Sequence, residues 1–398
     1  MPVTENQNFG AAAAFNKKIS LAELVTRAAK IGGEACIEAS ATDSTKSFPV
    51  ETLRIIAENG LLNAALPERF GGFDLGLKSG TNYALLQILK HFGRGNLVVG
   101  RVYEGHFNAL LLINLFGTNE QIERFAADAK AGKLFGVWNT EAHDGVKISP
   151  AENDKVRLTG AKTFATGTGF VTRPIVSGRL PDGGWQMCVA PLDEITVKVD
   201  VSWWNPMGMR ATRSFKMDFT DAKIGRENLL GAADRYYEQP WFSGGSIRFA
   251  AVQFGAAEAI FDETRKYLQM LGRIDDPFQK MRLGEMAILI ETGNLWLKSA
   301  AQKLDDFMQH PSRKKSENFL VYANMMRTAI EKICVETMNL CQKSVGARGL
   351  NQPFHFERII RDLTIYLRQP APDAALADAG RYVLQSAAAA DDLWKNEN

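Results

Sequence analysis

Met207-Gly208-Met209-Arg210-Ala211-Thr212, then Phe215-Lys216-Met217-Asp218-Phe219, then Arg226-Glu227-Asn228-Leu229-Leu230-Gly231 form the most informative stretch of the chain. Ser214 to Asp218 alternates apolar and polar residues with a period of two, which predicts a strand. Working back from it, the same short-strand pattern recurs at Leu134 to Thr140, Lys155 to Leu158, Lys162 to Thr166, Arg173 to Val176, Trp185 to Ala190 and Thr196 to Val199. Gly, Pro, Asn and Asp punctuate these runs at close intervals. Short strands with close turns predict an antiparallel barrel or sandwich over residues 133–238.

On both sides of this block the period becomes helical. Leu21, Leu24, Val25, Ala28 and Ile31 lie on one helical face, and a second helix follows Pro49. Helices are further predicted from about Gly80 to Phe92, Asn96 to Phe116 and, after the N-cap residue Thr118, Asn119 to Ala131. Beyond the strands, Ile247, Ala251, Phe254, Ile260, Phe261, Tyr267 and Leu271 form a long stripe, and helices follow at roughly 277–308, 318–345 and 372–394. Residues 1–17 read as a loose tail. The expected division is an N-terminal helical domain (18–132), a middle β domain (133–238) and a C-terminal helical bundle (239–398).

Composition narrows the function. The 398 residues are 45% hydrophobic and 23% charged with a formal net charge of +2, so neither a nucleic-acid partner nor an anionic membrane is called for. The basic run Arg313-Lys314-Lys315 reads as a short solvated loop. No apolar run reaches the length of a membrane span. Cys36, Cys188, Cys334 and Cys341 form no CxxC pair, and no His stands at metal-ligand spacing from them. No metal is expected, and the cysteine usage suits a reducing, cytoplasmic setting.

These segments together resemble the acyl-CoA dehydrogenase superfamily of flavoproteins. The opening stretch is similar to that family's "LGxRxS" and "eNlLG" block. Phe116-Gly117-Thr118-Asn119-Glu120-Gln121 is similar to its "fGteeQ" helix start, and Leu66-Pro67-Glu68-Arg69-Phe70-Gly71-Gly72 to its "PeeyGG" turn. The resemblance spans nearly the whole chain and implies an α+β fold: an N-terminal helical domain, a middle antiparallel β-barrel domain and a C-terminal four-helix bundle. It implies FAD between the last two domains, with FMN as the alternative for a monooxygenase. It also implies a homotetramer or homodimer, because flavin sites in this family are completed across subunits.

Residue by residue, the resemblance assigns flavin contacts to Trp138 and Thr140 at the end of the first strand and to Gly145 in the following loop. It adds Phe164 and Thr166, in place of the family's "WIT", and Gly346 and Ala347 in the "lGGxGy" turn. Val146 stands where a phosphate-binding Ser is usual. Glu357 to Asp362 resembles "vErllRD", a structural ion-pair segment.

The resemblance breaks at the catalytic base. Family dehydrogenases remove the α proton of an acyl thioester with a Glu, and such a base must reach the proton. One usual position falls on Pro370 and the other on Gly245, with Ser246 beside it. Asp373 becomes a candidate if the register slips. Arg101, Tyr103, Glu104, His106 and Asn108 form an unusual polar cluster within one apolar helix, with Arg101–Glu104 and Glu104–Asn108 at i,i+3 and i,i+4 spacing. Glu104 and His106 are weak acid or base candidates, and Arg101 and Arg248 candidates for substrate binding. A structural hydrogen-bonded network is the alternative. The resemblance implies an acyl-CoA dehydrogenase-like oxidoreductase that oxidises an acyl-CoA or similar acyl thioester by hydride transfer to FAD and passes electrons to an electron-transfer flavoprotein. The alternatives are a monooxygenase fed by a flavin reductase and using O2, and a non-catalytic scaffold. All three share one fold.

Overall fold

The computed structural model describes residues 8–10, 19–368 and 371–394. The rest of the expected loose tail and Pro370 lie outside these residues, but Phe9 within that tail is buried in the core and its N–H donates to the Gly132 carbonyl at 3.1 Å.

The chain begins with helices. They are α1 (Leu21–Thr45), α2 (Val50–Glu58), α3 (Asn82–Gly95), α4 (Leu97–Phe116) and α5 (Asn119–Lys130). Ser20 caps α1, and a full capping box between Thr118 and Gln121 starts α5. α4 is apolar on nearly every face and is buried along most of its length, as such a helix must be. Polar groups on α4 are therefore interior groups.

Strands follow: β1 (Leu134–Trp138), β2 (Lys147–Ala151), β3 (Lys155–Thr159), β4 (Ala161–Ala165), β5 (Val171–Arg179), β6 (Trp185–Val189), β7 (Lys198–Asp200), β8 (Phe215–Asp218), β9 (Ala222–Gly225) and β10 (Leu229–Leu230). They form two sheets. One runs β10-β6-β5-β2-β3-β9 with β1 beside β5, and the other runs β4-β8-β7. Most pairs are antiparallel, but β5 pairs in parallel with both β1 and β2. Strands β2, β9 and β10 were not expected. β2 carries Pro150 and a single large apolar residue, Ile148, and β10 is two residues long, so neither shows a clear alternation.

The last block is α6 (Ser246–Met270), α7 (Pro277–Gln309), α8 (Arg313–Gly349), α9 (Phe356–Tyr366) and α10 (Pro372–Gln385). α9 was read in the sequence only as an ion-pair segment. α6 packs on α3 and α8, which joins the first block to the last.

The 207–212 stretch is the node that ties the blocks together. The backbone of Gly208 passes so close to α9 that an added Cβ would stand 2.2 Å from the Arg361 carbonyl oxygen. The Met209 N–H donates to the Asp362 carboxylate. Arg210 donates to Asp43 of α1 at 3.0 and 2.7 Å, and Arg361 reaches the same Asp43 at 2.8 Å. Against the cost of burial, these two guanidinium groups hold the Asp43 carboxyl below its ordinary range.

Candidate active site

The residues assigned by sequence to a flavin fall into two groups. Trp138, Thr140, Phe164 and Thr166 come together at the end of β1 and β4. Trp138 is buried and its indole N–H donates to the Thr166 carbonyl at 3.0 Å. The Thr140 carbonyl accepts from the Thr163 N–H at 3.0 Å, which leaves the Thr140 side chain exposed. Phe164 has φ +52° and is 47% exposed, an uncommon state for an aromatic residue beside a sheet. Its ring packs edge-on against Trp203 at 4.7 Å and Trp204 at 5.8 Å. Gly346 and Ala347 lie apart, at a kink in α8. Gly346 has φ 60° and ψ −172°, a conformation open only to glycine, and an added Cβ there would meet nothing. No hydrogen bond joins the two groups among the described residues.

Sequence reasoning missed what orients Thr140. Lys162 of β4 is fully buried, and its ammonium donates to the Asn139 carbonyl (3.0 Å), to Glu141 and to Ser177 Oγ (3.3 Å). This pins residues 139–141 from inside, so that Thr140 turns outward. Burial lowers the Lys162 pKa against the pull of Glu141. Gly145 sits under that carboxylate: an added Cβ would overlap Glu141 Oε2. Val146 is buried in the core. The loop that resembles the phosphate-binding segment thus carries a carboxylate over its glycine and, at the usual Ser position, a valine turned into the core.

The second cluster lies between α4, α6 and the end of α9. Glu104 is buried and both its oxygens are taken, one by Arg101 Nη1 at 2.5 Å and the other by the Asn108 amide. The Asn108 carbonyl oxygen accepts from Arg248 Nε at 2.5 Å. Arg248 is 6% exposed and forms no ion pair among the described residues. Burial pushes its guanidinium down to about 10, with Glu104 and Tyr236 acting in the other direction, so it stays cationic at neutral pH. Tyr366, at the end of α9, and Ser246, at the start of α6, carry buried hydroxyls with no hydrogen-bond partner. Burial raises the Tyr366 and Tyr236 phenols well above their ordinary pKa, so both are neutral donors.

At Gly245 an added Cβ would stand 2.8 Å from Arg248 Nη2. The space that a side chain at 245 would use is therefore taken by a cation. His106 has no free ring nitrogen. Nδ1 accepts from the Phe135 N–H at 3.1 Å and Nε2 donates to the Leu62 carbonyl at 2.7 Å. Burial pushes this imidazole down to about 4, although the Leu62 bond opposes the shift. Asp373 is exposed in the first turn of α10.

Two models of one family match the chain: the acyl-CoA dehydrogenase N-terminal domain over residues 22–133 and the acyl-CoA dehydrogenase C-terminal domain over residues 247–368. Together they cover more than half of it. The chain belongs to the acyl-CoA dehydrogenase family. Within that family it is similar to a 3-(aryl)acrylate reductase of Clostridium sporogenes, 25% identical over 364 residues covering 86% of this chain and 93% of the relative. It is also similar to a dibenzothiophene monooxygenase of Mycolicibacterium goodii, 22% identical over 376 residues covering 86% and 89%. In fold it matches FMN-bound TdsC of Paenibacillus sp. A11-2 with a TM-score of 0.83, at 16% identity, over 93% of this chain and 99% of that one. The family assignment makes this chain an acyl-CoA dehydrogenase-like oxidoreductase. Among the described residues no helix is long and apolar enough to cross a membrane, and no His, Cys, Asp and Glu cluster could hold a metal.

Proposed function

We propose that this chain is a flavin-dependent monooxygenase that uses reduced flavin and O2 to oxygenate a small molecule held between α4, α6 and the end of α9. The observation that carries the reading is the guanidinium of Arg248 beside Gly245. A dehydrogenase of this family needs a carboxylate base at one of two positions. Here one is Pro370, and the other is a glycine whose side-chain space holds a positive charge. The buried carboxylate in this cluster, Glu104, is held by a hydrogen bond on each oxygen, from Arg101 and from Asn108, and its pairing with Arg101 makes it a weaker base. Asp373 is exposed, and His106 is a core histidine in this reading.

The ring-side residues fit a flavin. An exposed aromatic face at Phe164, an outward Thr140 and the Thr166 backbone can border the ring system, and Gly346 and Ala347 leave room for a bound group at the α8 kink. When bound, the flavin supplies the electrons that activate dioxygen. The chain's own part is to seat the substrate and keep water out. Arg101, Glu104 and Asn108 fix Arg248, and the neutral Tyr366 hydroxyl stays a donor. The phosphate-side loop offers little grip, with Glu141 over Gly145 and Val146 in the core. That favours an exchangeable flavin, FMN as readily as FAD, delivered by a separate flavin reductase. The similarity to dibenzothiophene monooxygenases supports the same reading.

A second copy of this chain is the other partner in this reading. Met281, Ile288 and Leu295 recur every seven residues along α7, with Phe278 one turn before, and all four are more than half exposed. Such a stripe is a packing seam awaiting a partner.

The test is anaerobic addition of a panel of saturated acyl-CoAs to the flavin-loaded protein. The oxidised flavin spectrum is expected to persist. Bleaching by any acyl-CoA would instead establish a dehydrogenase working with an electron-transfer flavoprotein.

A further inference from the structure

We infer that the α4/α6/α9 cage is an oxyanion site, and that the substrate is a small molecule bearing a carboxylate or a sulfur oxyanion gripped by Arg248. This deepens the monooxygenase reading and rests on it for the identity of the cage as the substrate pocket.

The argument is one of charge and unmet hydrogen bonds. Arg101, Glu104 and Arg248 bring two cations and one anion into the cage. Arg101 pairs with Glu104, and Arg248 hydrogen-bonds only the neutral Asn108 amide, through Nε, with Glu104 acting on it from beyond ion-pair distance. The ends of its guanidinium, Nη1 and Nη2, have no protein acceptor among the described residues. A buried, unneutralised charge is costly, and proteins keep one where a counter-charge arrives with a ligand. A guanidinium presents paired N–H groups in a plane, the geometry that takes up a carboxylate or sulfonate through two oxygens.

The surroundings add a donor, and the one anion of the cage, Glu104, has a hydrogen bond on each oxygen from Arg101 and Asn108. The buried Tyr366 hydroxyl is unpartnered and lies near Glu104 and Arg101. The Tyr366 backbone is fixed by Gln253, whose side-chain amide donates to its carbonyl at 2.8 Å. Asn108 has its amide on Glu104, which aims its carbonyl oxygen at Arg248 Nε and orients the fork. A neutral substrate would leave Arg248 uncompensated. A coenzyme-A thioester presents a carbonyl at this point, which accepts from one N–H but carries no charge to balance the cation.

The test is calorimetric titration of the full-length protein, without added flavin or oxygen, using benzoate, benzenesulfonate and neutral benzamide. At least one anion is expected to bind about tenfold or more tightly than benzamide, the discrimination a hydrogen bond to a charged group provides. Preference for benzoate or benzenesulfonate separates a carboxylate from a sulfur oxyanion. Arg248→Met is expected to abolish the preference. Because that variant alters a buried cluster, Tyr366→Phe is the companion: it removes an orphan hydroxyl, so the fold should keep its Tm while anion affinity drops severalfold. Equal binding of all three compounds, or anion binding that survives both substitutions, would overturn the inference. Oxygen consumption with reduced flavin in a protein that ignores anions would sink this inference and leave the monooxygenase reading standing. Anion binding without any oxygen chemistry would do the reverse.

Discussion

Arg248 Nη2 lies 2.8 Å from the point where a Cβ of residue 245 would stand, so the cation and Gly245 exclude one another's alternatives. Gly245→Ala should push the guanidinium off its seat. The contact is with the free end of a side chain, so the fold should lose no more than about 1 kcal/mol. Anion affinity should fall severalfold with little change in Tm. A large Tm loss would mean that Gly245 serves the α6 backbone rather than Arg248.

Lys162 pins residues 139–141 through Asn139, Glu141 and Ser177. Lys162→Met strands the Glu141 carboxylate and frees the segment. Breaking a buried pair from one side costs about 3–5 kcal/mol, and the partial exposure of Glu141 places this case at or below the low end. Flavin retention on gel filtration should fall in parallel, because Thr140 loses its fixed direction. Unchanged retention would separate Thr140 from flavin binding.

His106 makes a pH prediction. Its folded pKa of about 4 lies below the ordinary 6.5. Below 6.5 the unfolded chain takes up a proton that the folded chain refuses, so stability is lost as pH falls from 6.5 toward 4. The loss attributable to His106 is about 3 kcal/mol at most. His91 has the same sign, and Asp362, raised to about 6 by burial, opposes it. His106→Gln keeps a donor and an acceptor and leaves those two groups in place. The difference between the denaturation curves of the two proteins across this range isolates His106, and a flat difference would contradict its buried neutral state.

Ile288→Arg places a charge in the middle of the α7 stripe. Sedimentation should show an oligomer for the parent chain and a smaller species for the variant, with the helical circular dichroism unchanged. A parent that sediments as a monomer would leave the stripe without the partner proposed for it.

Much of this was legible in the sequence because its signals are local. The helical faces of α1 and α6 and the alternation of β8 announce themselves within a dozen residues. The i,i+3 and i,i+4 spacing of Arg101, Glu104 and Asn108 gave their network before any coordinates. α9 was missed because Glu357, Arg361 and Asp362 read first as an ion-pair segment, although Phe356, Ile359, Ile360 and Leu363 carry the i, i+3, i+4, i+7 spacing of a helix. Tyr366 and Tyr236 were missed because they enter the cage from elements far apart in the chain. His106 was visible as a polar residue in an apolar helix, but its partners are backbone atoms at Leu62 and Phe135, which leave no mark in a sequence. Lys162 gave no signal either, since a strand lysine is ordinarily solvated.

The central claim is that reduced flavin on this protein meets dioxygen productively. The most direct measurement is rapid mixing of the anaerobically reduced, flavin-loaded protein with oxygenated buffer, followed by diode-array absorbance. The monooxygenase account predicts a transient spectrum that belongs to neither reduced nor oxidised flavin, and that decays faster when the anion preferred in calorimetry is present. Slow, single-step return to oxidised flavin with no such transient, unaffected by that anion, would contradict it.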